Sequence, residues 1–336
     1  MSAPADDPAV GELSEGEILR RILSRLTSVP GVEVGPGDDA AVLAAPGGSV
    51  VATTDTLVHG PDFRLAWSSG FDLGWKAAAV NLADIAAMGA RPTALLVALA
   101  MPNDTRASFV EQVADGLRAA CEALAPGCGV VGGDLTVSDT LTIAVTALGA
   151  LDGRPPLLRS GARAGDVVAV AGQLGVAARG LDALFRVFID ATGAPAPVDP
   201  DVLADLPDAA DVGAIVAQLR PEPPVSLGAR AATHGATAMM DVSDGLVLDA
   251  TRMADASLVT IEVDTARLGA DSRRALHGGE DHALLGTFPS DAALPEGFRP
   301  IGRVLPRGEA PVLVDGAPYQ GVGGWDPYRD WDLQGG

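Results

Sequence analysis

The chain has 336 residues, enough for two domains with separate cores, and 48% of them are hydrophobic. A formal net charge of -21 excludes a nucleic-acid groove or an anionic membrane surface as the working face, because either would need clustered Lys and Arg. With no long apolar run and no basic-plus-apolar leader, the sequence predicts a cytoplasmic protein without a membrane partner.

Residues 1–10 are rich in Ala, Pro and Asp and read as a disordered tail. Leu13, Ile18, Leu19, Ile22, Leu23 and Leu26 recur at helical spacing, which predicts a surface helix over residues 12–26. Two strands are expected at residues 40–44 and 49–54, joined by the turn Pro46-Gly47-Gly48. The first follows Gly37-Asp38-Asp39 and the second ends in Thr53-Thr54-Asp55, so an antiparallel hairpin would make these acids neighbours. Residues 35–40 also fit a degenerate GxGxxA dinucleotide pattern. A strand follows it where that fingerprint needs a helix, which rules it out.

The stretch FDLGWKAAAVNLADIAAMGARP at residues 71–92 predicts a helix, with Asp72 as N-cap and Gly89 and Pro92 as the stop. Asn81 and Asp84 share one face, followed along it by Met88. The other side chains are small and apolar, which implies close packing and a buried or half-buried Asp84. Its partner would be Lys76, the chain's single lysine, or a metal ion.

Further strands are expected at 93–101, 128–134 and 141–151 and a helix at 105–124, an α/β domain running to about residue 152. Cys121 and Cys128 are too few for a disulfide framework or a zinc site and read as reduced core thiols. Residues 153–166 form a connector carrying Arg154, Arg159 and Arg163. A second α/β domain then begins with a strand at 166–171, the turn GQLG and a helix at 176–188. That turn is either an ordinary tight turn or a set of amides facing an anion. Residues 189–224 look like a surface excursion with one short helix. A strand at 237–240 leads into Asp241-Val242-Ser243-Asp244-Gly245 and a helix from Leu246, with strands at 258–263 and 283–288.

Asp39, Asp55, Asp84, Asp134, Asp241 and Asp244 each sit at the edge of an apolar element, most of them beside glycine. Two carboxylates about 5 Å apart repel by about 3 kcal/mol at an effective dielectric near 20, so a cluster of them needs cations. Oxygen ligands from Asp and Thr suit Mg²⁺, which bridges to phosphate oxygens. There is no P-loop and no protein-kinase motif set, and His59, His234, His277 and His282 have no triad-like context. Phosphoryl transfer to a phosphate monoester does not require a general base, since the acceptor is already largely ionised.

Taken together, GDDAAV (37–42), TTDTLV (53–58), GWKAAAVNLADIAAMGARP (74–92), GGD (132–134), RSGARAGD (159–166), MDVSDGL (240–246) and GGED (278–281) resemble, in order, the motifs of the thiamine-monophosphate kinase family. That family belongs to the aminoimidazole ribonucleotide synthetase-like superfamily, and the resemblance runs from about residue 11 to residue 325. It implies a two-domain α/β (α+β) fold, with an N-terminal ATP and magnesium domain at 11–152 whose sheets pair in a homodimer. A C-terminal domain at 153–336 would complete the active site. It further implies in-line transfer of the γ-phosphoryl group of ATP to thiamine monophosphate, giving thiamine diphosphate, with several Mg²⁺ ions.

By motif, Asp39, Thr53, Thr54, Asp55, Asp84, Asp134, Asp241 and Asp244 are the implied metal ligands, and Asp55, Asp84, Asp134 and Asp241 carry catalysis. Gly133, Asp134, Arg159 and Ser243 would contact ATP, and Asp62, Glu280 and Trp325 the thiamine phosphate. An indole at Trp325 suits a cationic thiazolium, although a C-terminal aromatic can equally plug a core edge. Where the family carries a histidine in a segment like TLVEGVHF, this chain has TLVHGPDF, with Asp62 at that place and His59 three residues before it. Residues 261–277 look shortened, and GGEDHAL stands for GGEDYEL. These departures keep open another ATP-dependent enzyme of the superfamily. A non-catalytic nucleotide-binding protein would require a lost metal acid.

Overall fold

The computed structural model describes residues 7–13, 15–27, 30, 32–34, 42–43, 49–321 and 323–325. The N-terminal part contains α1 (Glu15–Leu23), β1 (Val32–Val34), β2 (Val42–Leu43), β3 (Val50–Val58), α2 (Gly70–Ala87), β4 (Arg91–Met101), α3 (Ala107–Leu124), β5 (Val130–Val137) and β6 (Thr142–Ala150). Strands β3, β6, β4 and β5 form a sheet in that order; β4 and β5 are parallel across the α3 crossover, and the other pairs are antiparallel. Along β4, Leu95 and Leu99 are buried toward the helices, whereas Leu96 and Ala98 face outward and are exposed.

The C-terminal part contains β7 (Val167–Ala171), α4 (Val176–Val187), α5 (Pro200–Ala204), α6 (Ala209–Leu219), α7 (Val225–Thr233), β8 (Ala238–Val242), α8 (Leu246–Ser257), β9 (Val259–Val263), α9 (Ser272–His277), β10 (Ala283–Phe288), β11 (Phe298–Pro306), β12 (Val312–Val314) and β13 (Ala317–Pro318). Its sheet has the order β13-β12-β9-β11-β7-β10-β8 and is antiparallel except for β12 with β9. Strand β8 is therefore an edge strand, and it lies against α2.

Helix α2 joins the two halves. It packs against α3 and the first sheet on one side and against α7 and β8 on the other. Its buried Leu73, Leu82 and Ile85 each contribute about 1.5–3 kcal/mol by leaving water. Backbone contact with α3 depends on paired glycines: a Cβ at Gly74 would collide with the Val113 carbonyl, and one at Gly116 with that of Phe71. Two indoles tie the halves together, Trp67 donating to the Phe188 carbonyl at 2.9 Å and Trp75 to the Pro221 carbonyl at 2.8 Å.

Several sequence expectations are corrected. The N-cap of α2 is Ser69, with Asp72 as the reciprocal partner three residues on, so the helix starts earlier than expected. Among the described residues the hairpin of residues 40–44 and 49–54 is not seen: β2 pairs with β1 and β3 with β6. The nine-residue ladder to β6 is what fixes β3, so the strand does not depend on a local turn for its pairing. Residues 7–10, expected in the tail, are docked: Val10 is buried, and Asp7 accepts bonds from the backbone and hydroxyl of Ser108. Residues 1–6 lie outside the described residues. The supposed surface excursion contains two helices, and α6 buries Ala214, Ile215 and Gln218 against α4.

Candidate functional site

Thr53 and Asp55 are alternate residues of edge strand β3, so both point toward α2. There the Thr53 hydroxyl donates to Asp84 Oδ2 at 2.8 Å. One turn earlier Asn81 accepts from the Asp55 amide at 3.1 Å and donates to the Ala77 carbonyl at 2.9 Å. The i, i+3 spacing on α2 thus places one amide and one carboxylate opposite one strand.

The second half supplies its acids from the end of β8. Asp241, the fourth residue of that strand, is buried, and Asp244 follows in the turn before α8. Burial, Asp241 and Asp55 together raise the Asp84 carboxyl from 3.8 to about 7. Burial likewise raises Asp55, with Asp241 and Asp244 adding to the effect. Acids from both halves of the chain therefore share one electrostatic environment. Two partially compensating contacts flank it. Arg252 pairs with Asp244 and Asp249, each at 2.6 Å, and Asp249 accepts from the Asp244 and Gly245 amides. Burial, reinforced by Asp241 and Asp244, raises Asp249 to about 6.

His282 Nδ1 lies 3.2 Å from Asp241 Oδ2 in a buried contact. Burial opposes the charged ring, but Asp241 and Glu280 outweigh it and raise the His282 pKa. Sequence reasoning gave this histidine no role; its place directly after GGED was the available signal. Lys76, the proposed partner of Asp84, instead pairs with Glu280 Oε2 at 3.1 Å.

Glu280 and Trp325 both meet the turn after β8: the Glu280 amide donates to the Ser243 carbonyl at 2.7 Å and the Trp325 amide to that of Asp244 at 2.9 Å. The Trp325 ring is exposed, so it does not plug a core edge. Asp62 accepts from the Val58 amide at 2.7 Å. Burial raises its pKa, and the neighbouring charges of Glu280, Lys76 and Asp55 place it beside the same cleft. The GQLG turn does face an anion, and the anion is the protein's own: Asp281 accepts from the Gly175 and Ala177 amides at 2.5 and 2.8 Å.

Other candidates stand apart in the single chain. Thr54 points to the open face of the sheet, where its hydroxyl donates to the Val145 carbonyl at 3.0 Å. Asp134 is exposed on β5 and shares a row with Ala98, Ala144 and Thr56, three strand spacings from β3, or roughly 14 Å. Gly133 is beside it, paired with Val97. Arg159 is exposed next to β8, where the Leu158 carbonyl accepts from Met239. Asp39 lies outside the described residues. Among the described residues no group of three or more His, Cys, Asp or Glu is arranged to hold a metal ion. No helix among them is long and apolar enough to cross a membrane.

Two α/β units with facing acids define a class, and residues 37–151 match the model of the AIR synthase related protein N-terminal domain. The chain has the two-domain fold of that superfamily. A thiamine-monophosphate kinase from Mycobacterium tuberculosis is 41% identical over 99% of this chain and 97% of the relative. The crystal structure of thiamine-monophosphate kinase from Stenotrophomonas maltophilia K279a is 33% identical, covers 90% of this chain and 96% of its own, and has a TM-score of 0.72. A structure of AaThiL complexed with AMPPCP and TMP is 32% identical, covers 93% and 96%, and has a TM-score of 0.71. The chain belongs to the thiamine-monophosphate kinase family.

Proposed function

We propose that this protein transfers the γ-phosphoryl group of ATP to thiamine monophosphate, giving thiamine diphosphate, in the cytoplasm. The observation that carries the reading is the approach of Asp55 and Asp84, from the first half, to Asp241 and Asp244, from the second. Carboxylate and hydroxyl oxygens are the donors that suit divalent magnesium, which when bound would supply charge neutralisation for the phosphate oxygens. Asp55, Asp84, Asp241 and Asp244 would hold it, with Thr53 orienting the Asp84 carboxylate. Asp39, Thr54 and Asp134 join the ligand set on the strength of the family motifs, as Gly133, Arg159 and Ser243 join the ATP contacts.

Asp62, Glu280 and Trp325 are the proposed contacts to thiamine monophosphate. They converge on the seam between the halves, which supports the reading. Domains at 11–152 and 153–336 are supported by the two separate sheets, whose strands end at Ala150 and resume at Val167. A homodimer through the N-terminal sheet is supported by its open face, where Leu96 and Ala98 are exposed. Purified protein incubated with ATP, Mg²⁺ and thiamine monophosphate should form thiamine diphosphate, measured by chromatography. Folded protein that makes none refutes the assignment.

A further inference from the structure

The chain's only lysine is almost wholly buried at the seam between its halves, with a side-chain exposure of 5%. A buried ammonium is costly unless paired, and Lys76 on α2 finds its counter-charge on Glu280, 204 residues further along. Gln218, on α6 and also buried, donates through Nε2 to the same oxygen, Glu280 Oε2. One carboxylate oxygen is thus held from both sides of the seam.

The backbone beneath it is constrained as well. Glu280 and His282 adopt left-handed φ values of 68° and 51°, which side chains with a Cβ visit rarely. Between them Asp281 is fixed on the Gly175 and Ala177 amides, while Glu280 and His282 donate to the Ser243 and Val242 carbonyls. Strain held by this many contacts marks a residue whose direction matters.

Among the described residues, two acceptors at this point have no donor. Glu280 Oε1 takes part in none of the bonds that hold its side chain. Gln218 Oε1 is buried without a hydrogen-bond partner, and its amide orientation is set by the bond from Nε2 to the carboxylate. Adjoining acceptors without donors match a ligand that brings positive charge and N–H groups.

We propose that Lys76 and Gln218 are positioning residues for the acceptor substrate: fastened to Glu280 Oε2, they present Glu280 Oε1, beside Gln218 Oε1, to the cationic, N–H-bearing rings of thiamine monophosphate. This rests on the function proposed above. The Lys76 ammonium also keeps the carboxylate available as an anion: burial works against ionisation, but Lys76 and Gln218 outweigh it and hold Glu280 below its ordinary range.

The test is steady-state kinetics on the wild type, Lys76→Met, Gln218→Leu, Glu280→Gln and the double variant Lys76→Met with Glu280→Gln. Lys76→Met and Gln218→Leu should each raise KM for thiamine monophosphate about tenfold while changing KM for ATP by less than about twofold. The double variant should be no worse than Glu280→Gln alone, because Lys76 acts through Glu280. An unchanged KM for thiamine monophosphate in folded Lys76→Met, or losses that multiply in the double variant, overturns the proposal. Should Lys76→Met fail to fold, wild-type protein labelled with ¹³C-lysine gives one lysine spin system. Its Cε resonance should shift on adding thiamine monophosphate without nucleotide, and no shift at concentrations that saturate turnover overturns the proposal. A wild type that makes no thiamine diphosphate sinks the functional assignment and this proposal with it; an active wild type with indifferent variants sinks this proposal alone.

Discussion

The Thr53 hydroxyl donates to the Asp84 carboxylate across the gap between an edge strand and the central helix, at 2.8 Å. That bond fixes Oδ2 of a carboxyl that senses the charges of Asp241 and Asp55. Replacing the carboxylate by an amide of equal size keeps the bond and removes the charge. Asp84→Asn should therefore lower the rate of thiamine diphosphate formation by at least about a hundredfold. Circular dichroism should stay that of the wild type.

The same residue gives metal-free protein a particular pH dependence. Folding raises Asp84 from 3.8 to about 7, so between those values the folded protein holds a proton that the unfolded chain releases. Its contribution to stability is fully present below about pH 4 and is lost as pH rises to about 7. Urea titrations in chelator should show that decline, and Asp84→Asn should flatten it. Added Mg²⁺ should raise Tm more at pH 7.5 than at pH 5, because the protonated acid cannot bind it.

Asp281→Ala should destabilise the fold. It would leave the Gly175 and Ala177 amides at the start of α4 buried and unpaired, at a cost of about 2–4 kcal/mol. Thermal unfolding should show a clear drop in Tm, while an unchanged Tm would mean that these amides find other partners.

Ala98→Arg places a charge at the centre of the open face of the N-terminal sheet. If that face pairs two copies, the variant should elute as a monomer in light-scattering chromatography where the wild type elutes as a dimer.

Gly116→Val tests the contact between α2 and α3. The added side chain would collide with the Phe71 carbonyl, and the helices must part, costing about 1–3 kcal/mol in chemical denaturation.

What the sequence disclosed depended on how local each signal was. Helix α2 was legible because its Ala-rich run, paired polar residues and terminal Gly89 lie within one stretch. Strand β10 was expected at 283–288 and stands at Ala283–Phe288, since a short apolar run bounded by turns has few other places to go. The pairing of β3 was not legible: its partner, β6, is about ninety residues away, and a nearer turn suggested another. Helix α6 was hidden by the Pro, Ala and Asp composition around it, although Ile215 and Gln218 form its buried face. The convergence of Asp55, Asp84 and Asp241 followed from motifs, whereas the contacts of His282 with Asp241 and of Lys76 with Glu280 arise only in the folded chain.

Two of the chain's four tryptophans, Trp67 and Trp75, reach from one half to backbone carbonyls of the other. Drawing the halves apart would wet both indoles at once and shift their emission toward longer wavelengths. The protein thus carries its own optical gauge of cleft opening, readable in a fluorimeter without any attached dye.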